Sequence, residues 1–266
     1  MDSSFGHILH LLWLPVASFF AGALNTIAGG GSFLSLPALL NAMKGGGFGS
    51  VSAQATNNVA LWPGQLTSVY AYRDDLKHHI KRLIPLSIAS FVGGLAGAWL
   101  LLVTPNKRFL DLLPWLLLFA AVMFVLSEPL GKWLATRKNE GAKRSDFWLI
   151  VGMVVVSCYV GYFGAGGGFL VMALFGICGV TNIHEMNALK VVTAVVSIGV
   201  AVFWFIYNGR VVWSYCWQMA ILAAIGGYVA ARYSKRLNQK LMRRLVATIG
   251  FVTAAYFFWR AYGPKG

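Results

Sequence analysis

Charged residues are scarce in this sequence. Only 11% of its 266 residues are Asp, Glu, Lys or Arg, while 58% are hydrophobic. A soluble protein of this size needs more charge to cover its surface, so the composition excludes an ordinary soluble domain. Acidic residues are rarest, with 8 Asp and Glu against 22 Lys and Arg. The net charge of +14 could indicate nucleic acid, but the basic residues fall in short loops between apolar runs, as in membrane proteins. No nucleic-acid partner is predicted.

Cysteine is also sparse, and the sequence shows no arrangement typical of a catalytic site. Cys158, Cys178 and Cys216 all lie in apolar stretches, where small buried side chains are the simplest interpretation. There is no metal-ligand spacing, no nucleophile with its base and no phosphate loop with its lysine. The sequence therefore predicts neither an enzyme nor a metal site nor a cofactor. A cleaved signal is not expected, because Ile8–Ala28 is long enough to remain as a helix.

Long apolar runs fill most of the chain. Leu83–Val103 and Leu149–Leu174 contain no charge, and a helix needs about 20 apolar residues to cross a membrane. The runs lack the alternation of barrel strands, so the predicted fold class is an all-α polytopic integral membrane protein. The predicted segments are roughly 8–28, 32–43, 53–72, 83–103, 109–131, 146–164, 167–179, 186–207, 213–232 and 243–262.

Two glycine triplets interrupt this pattern, Gly29-Gly30-Gly31 and Gly166-Gly167-Gly168. Glycine disfavours helix interiors, so each triplet should end a helix, and the segments that follow are too short to cross comfortably. Helices that begin inside the membrane, near Ser32 and Phe169, would present free N–H groups and a positive dipole end to an anion, meeting near the midplane. The alternative is that the glycines only permit close helix packing.

The chain repeats itself. Gly93-Gly94 recurs as Gly226-Gly227, and Ala55 recurs as Ala188, both 133 residues later. An internal duplication of a membrane unit is therefore predicted, with residues 1–135 as the first transmembrane repeat and residues 136–266 as the second.

The loops suggest that the two repeats are inverted. Arg73–Arg82 is basic while its counterpart near Asn208–Trp213 holds only Arg210, and Arg232–Arg244 is far more basic than its counterpart at 107–108. Opposite charge bias in equivalent loops predicts opposite sides of the membrane. Each repeat would then have a glycine-broken helical hairpin plus three transmembrane helices, with both termini periplasmic in a bacterial inner membrane. Parallel halves, with each glycine segment crossing once, are the alternative.

A polar run in the first repeat aligns with an ionisable residue in the second. Gln54–Asn58 matches Asn187–Val191, which places Lys190 opposite Asn57. An ionisable group within a membrane helix is costly and normally faces a partner or a watery cavity, although Lys190 could also snorkel to the interface or pair with Glu185. The predicted substrate-binding residues are Lys190, Asn187, Asn57, Asn58, Thr56, Asn25, Ser32, Gly29, Gly30, Gly31, Gly166, Gly167 and Gly168.

Several segments together resemble the sulfite exporter TauE/SafE family, also called the toluene sulfonate uptake permease group. They are Gly22–Pro37, Ala55–Ala60, Gly161–Gly168, Asn187–Lys190, Gly226–Arg232 and Leu241–Leu245. One departure is Leu174, which stands where the first repeat has Pro37. The resemblance implies secondary carriers of sulfur-containing anions, including sulfite, sulfoacetate and arylsulfonates, and leaves the direction of transport open.

The function expected from these observations is secondary active transport of small, sulfur-containing anions (sulfite, thiosulfate or organosulfonates). Alternating access around a midplane site would perform it, with export as the favoured direction and protons as the candidate coupling ion. Membrane lipids would be the other partners, and the oligomeric state is left open. A passive anion channel and a non-transporting membrane component of sulfur metabolism are the alternatives.

Overall fold

The computed structural model describes residues 2–28, 30–43, 46–71, 80–136, 146–178, 180, 183–233 and 239–263. These described residues form ten α-helices and no strand. The helices are α1 (Asp2–Ala28), α2 (Ser32–Met43), α3 (Ser50–Ala71), α4 (Ile80–Val103), α5 (Asn106–Thr136), α6 (Asp146–Tyr162), α7 (Gly167–Ile177), α8 (Ile183–Tyr207), α9 (Trp213–Tyr233) and α10 (Gln239–Tyr262). The prediction of an all-α fold is confirmed, and every predicted segment has its helix.

The polarity of the fold is that of a membrane protein. The helix stretches Lys81–Val103, Asn106–Leu126, Glu185–Tyr207 and Arg244–Tyr262 are long and apolar enough to cross a bilayer. Large apolar side chains such as Trp99, Val155 and Phe203 are more than half exposed, whereas Gln54 and Asn57 are completely buried. A soluble protein rarely exposes so much apolar surface, but lipid covers such a surface at no cost. The chain is a polytopic helical membrane protein.

The first compact unit comprises Met1–Gly64, Thr104–Phe119 and Phe205–Gly266. Its most extensive contact is between α1 and α9, and α2 packs on both α1 and α10. Glycine makes the first contact possible: a Cβ added at Gly22 would overlap the backbone of Ala223, and one at Gly226 would overlap the carbonyl oxygen of Phe19. Such close approach of helix backbones is typical of small-residue interfaces in membranes.

The second compact unit comprises Gln65–Val103 and Ala120–Trp204. Its most extensive contact is between α4 and α6, and α7 packs on α6. Here a Cβ at Gly97 would overlap the carbonyl oxygen of Cys158. The buried core of this unit is aliphatic and aromatic, and its members are Leu86, Ala89, Leu149, Met153, Val171, Phe175, Val180, Met186 and Leu189.

Each compact unit draws helices from both halves of the sequence. Helix α9 of the second half packs on α1 of the first, and α4 of the first half packs on α6 of the second. The glycine pairs from which the repeat is predicted, Gly93-Gly94 and Gly226-Gly227, lie on α4 and α9, the two helices that are exchanged in this way. The compact units are thus a different division of the chain from the predicted repeats 1–135 and 136–266, which remain a prediction.

Candidate anion-binding site

Both glycine triplets interrupt a helix, as predicted. In the first repeat α1 ends at Ala28 and α2 begins at Ser32. In the second half of the chain α6 ends at Tyr162 and α7 begins at Gly167, the first residue of the predicted segment 167–179. The N-cap of α7 is Gly166, whose φ of 73° lies in the left-handed region that only glycine adopts easily. Gly29 lies outside the described residues.

The first turn of α7 leaves one backbone donor available. The amides of Phe169 and Leu170 donate to the carbonyl oxygen of Gly166 at 3.1 and 3.4 Å, and the Gly167 amide donates to Gly164 at 3.3 Å. The Gly168 amide donates no hydrogen bond within the described part of the chain. A free N–H at a helix N-terminus, where the dipole is positive, favours an anionic acceptor.

Lys190 of α8 lies beside this donor. A Cβ added at Gly168 would be 3.6 Å from Cδ of Lys190, so the lysine stem passes over the glycine. Its Nζ donates to Oδ1 of Asn187 at 3.1 Å. Gly168, Asn187 and Lys190, here named the lysine cluster, therefore bring together three residues that the sequence predicted for the site.

The sequence allowed Lys190 to pair with Glu185 as an alternative. In the structure Glu185 instead forms an ion pair with Arg82. The carboxylate of Glu185 accepts a hydrogen bond from Arg82 at 3.0 Å, joining the starts of α8 and α4. Arg82 is 53% exposed and Glu185 only 12%. The described partner of Lys190 is the neutral amide of Asn187, so no described carboxylate offsets the positive charge of the ammonium.

The position that the predicted repeat aligns with Lys190 is Asn57. It belongs to a group of neutral hydrogen-bonding side chains, here named the amide cluster: Ser32, Ser35, Asn57 and Asn58. Ser35 Oγ donates to Oδ1 of Asn57 at 2.6 Å, while Nδ2 of Asn57 reaches Ser32 Oγ only at 3.5 Å. Both serines belong to the first turns of α2, so Asn57 is tied to the helix that follows the first triplet. The 3.5 Å contact is at the limit of a hydrogen bond and leaves that N–H group poorly satisfied.

Asn58 contributes a second donor, its side-chain Nδ2, that lacks a good acceptor. Its Oδ1 accepts from Nε2 of Gln54 at 3.2 Å, but its Nδ2 has no hydrogen-bond partner among the described residues. Asn58 is only 5% exposed. A buried polar group without a partner costs about 1–3 kcal/mol. The unpartnered Nδ2 of Asn58, together with the long contact of Asn57 Nδ2, is consistent with a ligand acceptor at this position.

The remaining predicted residues have structural contacts. Thr56 Oγ1 accepts a hydrogen bond from the Val212 amide at 3.0 Å and so holds the start of α9. Asn25 lies against Gly31, with its Cβ 3.0 Å from a Cβ added there. Gly30 and Gly31 also allow close packing: a Cβ at Gly31 would overlap the Ala21 carbonyl oxygen. The triplets therefore both break helices and admit close neighbours, so the two interpretations of the sequence are compatible.

Two positioning residues were missed by the sequence analysis. Ser35 lies three residues after Ser32, and this helical spacing could have placed both hydroxyls on one face. Tyr159 donates its hydroxyl proton to the carbonyl oxygen of Ala165 at 2.8 Å and so fixes the backbone just before the second triplet. No sequence signal indicated that contact, because the loop conformation decides it.

Asn106 holds the helix that carries the amide cluster. Its Oδ1 accepts from the Val51 amide at 3.0 Å and from Ser50 Oγ at 3.3 Å, which caps the N-terminus of α3. Replacing Asn106 with Ala should cost about 1 kcal/mol of stability, the usual value of a lost N-cap. Thermal unfolding in detergent measures the effect. Asn106→Asp keeps the acceptor and should unfold like the wild type. An unchanged midpoint for Asn106→Ala would show that α3 does not depend on this cap.

The all-helical fold, its exposed apolar surface and its broken helices define the class of polytopic membrane proteins with a buried polar site. The profile of the family described as sulfite exporter TauE/SafE matches residues 14–257. The chain belongs to this family. The resemblance found in the sequence motifs is thereby confirmed.

Similar proteins carry transporter names. The chain is 28% identical over 250 residues to the probable membrane transporter protein YfcA of Escherichia coli strain K12, covering 93% of this chain and 89% of that protein. It is also 28% identical over 255 residues to the probable membrane transporter protein ORF9 of Sinorhizobium sp, covering 92% and 91%. No solved structure was found to match the chain. Family and relatives indicate a membrane transporter rather than an enzyme.

Proposed function

We propose that this transporter carries small sulfur-containing anions (sulfite, thiosulfate or organosulfonates) as a secondary active carrier working by alternating access. The observation that carries the proposal is the lysine cluster. There an ammonium lies beside a backbone amide at the start of α7, and the described residues supply neither a carboxylate for the ammonium nor an acceptor for the amide. Such an arrangement attracts a negative oxygen, since both groups can only donate hydrogen bonds.

The amide cluster supports the same chemistry. Its two poorly satisfied N–H groups can donate to oxygen acceptors, and sulfite, the anion named in the family description, presents several such oxygens. We propose that Asn57 and Asn58 donate to the transported anion, while Thr56 and Asn25 act by holding neighbouring backbone.

For the orientation in the membrane, we propose inverted repeats in a bacterial inner membrane with both termini periplasmic. The support is the charge bias of equivalent loops, since positive residues concentrate on the cytoplasmic side. At either terminus, a fused reporter enzyme that functions only in the periplasm should be active, and one that functions only in the cytoplasm should be inactive. Activity of a cytoplasmic reporter at one terminus and a periplasmic reporter at the other would contradict inversion.

Transport in proteoliposomes tests the function. The purified full chain should take up labelled sulfite in a saturable manner and accelerate exchange against internal unlabelled sulfite, because a carrier returns faster when loaded. Export coupled to protons further predicts that an imposed pH gradient drives net movement. Uptake without counterflow would indicate a passive channel. No uptake of sulfite, thiosulfate or an organosulfonate, compared with protein-free liposomes, would contradict anion transport.

A further inference from the structure

The lysine cluster contains one cationic side chain, that of Lys190. The hydrogen-bond partner of Lys190 is the neutral side chain of Asn187 at 3.1 Å, and the adjacent Gly168 contributes only backbone. The nearest acidic residue along the helix, Glu185, has its carboxylate engaged by Arg82 at 3.0 Å. Among the described residues, the protonated cluster therefore offers a ligand a net charge of +1.

The amide cluster offers hydrogen-bond donors but no charge. Asn57 stands where the second repeat has Lys190, and its partners Ser32 and Ser35 are neutral. Asn58 and its partner Gln54 are neutral as well. The duplication has thus been made asymmetric in charge, with a cation at only one of two equivalent positions.

A net charge away from water is costly, so a ligand should cancel the charge of its site. A singly charged anion at Lys190 leaves no net charge, whereas a doubly charged anion leaves an uncompensated negative charge that neutral amides only partly stabilise. We infer that, if the chain carries anions as proposed above, its substrate is the singly charged form of the oxyanion, and doubly charged anions with the same head group are excluded.

A singly charged substrate also explains how a proton could move together with sulfite. Of the 8 Asp and Glu residues, only Asp111 and Glu185 have described side chains, the first exposed and the second paired with Arg82. Sulfite takes up one proton to become hydrogen sulfite, a singly charged anion, and releases it on the other side. If hydrogen sulfite is the form that binds, the proton travels on the substrate and net movement of sulfite follows a pH gradient.

Two isosteric ligands test the charge preference on the purified full chain. Methanesulfonate and methylphosphonate share a tetrahedral head and a methyl group, but at a pH where methylphosphonate is doubly ionised they differ by one charge. Calorimetry should show methanesulfonate binding at least about tenfold more tightly, since one uncompensated charge at a poorly solvated site costs at least about 1.4 kcal/mol. Equal or tighter binding of methylphosphonate would overturn the inference while leaving anion transport intact. Binding of neither ligand would contradict the proposed function itself, and the inference would fall with it.

Sulfite provides a second readout. Its apparent affinity, expressed per total sulfite, should rise as the pH falls and hydrogen sulfite accumulates, while methanesulfonate affinity stays constant over the same range. The methanesulfonate series controls for titration of the protein. The other titratable side chains described in this compact unit are Lys81, Arg82, Cys158, Tyr159, Tyr162, Cys178 and Glu185. Sulfite affinity that rises with pH would overturn the inference.

The Asn187→Asp variant tests whether the charge of Lys190 holds the anion, because it changes the charge beside Lys190 but keeps the hydrogen bond. The change is isosteric and keeps the hydrogen bond to Lys190, but it places a carboxylate where the amide oxygen lies 3.1 Å from Nζ. The protein should remain folded, as thermal unfolding will show, and methanesulfonate affinity should fall at least about tenfold because the lysine charge is cancelled. Unchanged affinity would show that the charge of Lys190 does not hold the anion.

Discussion

The Lys190→Ala protein is expected to fold normally and to lose anion binding. The ammonium is the one charged donor of the lysine cluster, and a hydrogen bond to a charged group contributes about 1.5–3 kcal/mol, so affinity should fall up to roughly a hundredfold. Folding should not suffer, because the substitution removes a half-buried charge whose only described partner is a neutral amide. Calorimetry with methanesulfonate and sulfite uptake in proteoliposomes measure the loss, and thermal unfolding checks the fold.

Two matched variants make this result specific. Asn57→Ala removes a neutral donor at the equivalent position of the first repeat, and a loss of about 1 kcal/mol, or about fivefold in affinity, is expected. Lys107→Ala removes the same charge from an exposed position at the start of α5 and should leave affinity unchanged. If Lys190→Ala transports sulfite at the wild-type rate, Lys190 does not belong to the site. An equal loss for Lys107→Ala would mean that overall charge, rather than the lysine cluster, attracts the anion.

The Gly226→Val substitution is expected to have the largest effect on stability. A Cβ at Gly226 would overlap the carbonyl oxygen of Phe19, so α9 and α1 must separate at their closest point. Because the obstacle is backbone rather than a movable side chain, we expect a loss of about 3 kcal/mol, the upper end of the usual cost of overpacking. The α1–α9 contact joins the first and second halves of the chain, so its loss should loosen the whole first compact unit.

Gly64→Ala is the matched control for this prediction. Gly64 also lies in a helix, but an added Cβ would meet nothing within 4 Å. Its replacement should stabilise the protein by up to about 1 kcal/mol, since alanine favours the helix. The midpoint of thermal or denaturant unfolding in detergent should fall clearly for Gly226→Val and rise slightly for Gly64→Ala. A wild-type midpoint for Gly226→Val would contradict the close approach of α1 and α9.

The helices could be predicted almost completely from the sequence. The second segment was predicted as 32–43 and observed as Ser32–Met43, and the fourth was predicted as 83–103 and observed as Ile80–Val103. Membrane thickness sets the length of an apolar run, and glycine triplets mark where a helix cannot continue, so both signals are local. The starts of helices were less accurate. Helix α3 begins three residues before the predicted 53, where Asn106, distant in the sequence, supplies its cap.

The candidate site was predicted only in part. The contact of Lys190 with Asn187 follows from helical spacing, since residues three apart lie on one face. The exchange of α4 and α9 between compact units was not predicted at all, because the repeat shows which helices are equivalent but not which ones pack together.

By itself, the sequence determined that this is a membrane protein and that its helices break at two glycine triplets, and it predicts a repeat that aligns Lys190 with Asn57. Composition, run length and residue type decide these features without reference to distant parts of the chain. Only the tertiary structure decided that Ser35 binds Asn57, that Glu185 is taken by Arg82, and that Lys190 crosses Gly168. These contacts join residues 22 to 103 positions apart, so helix packing rather than local spacing brings them together.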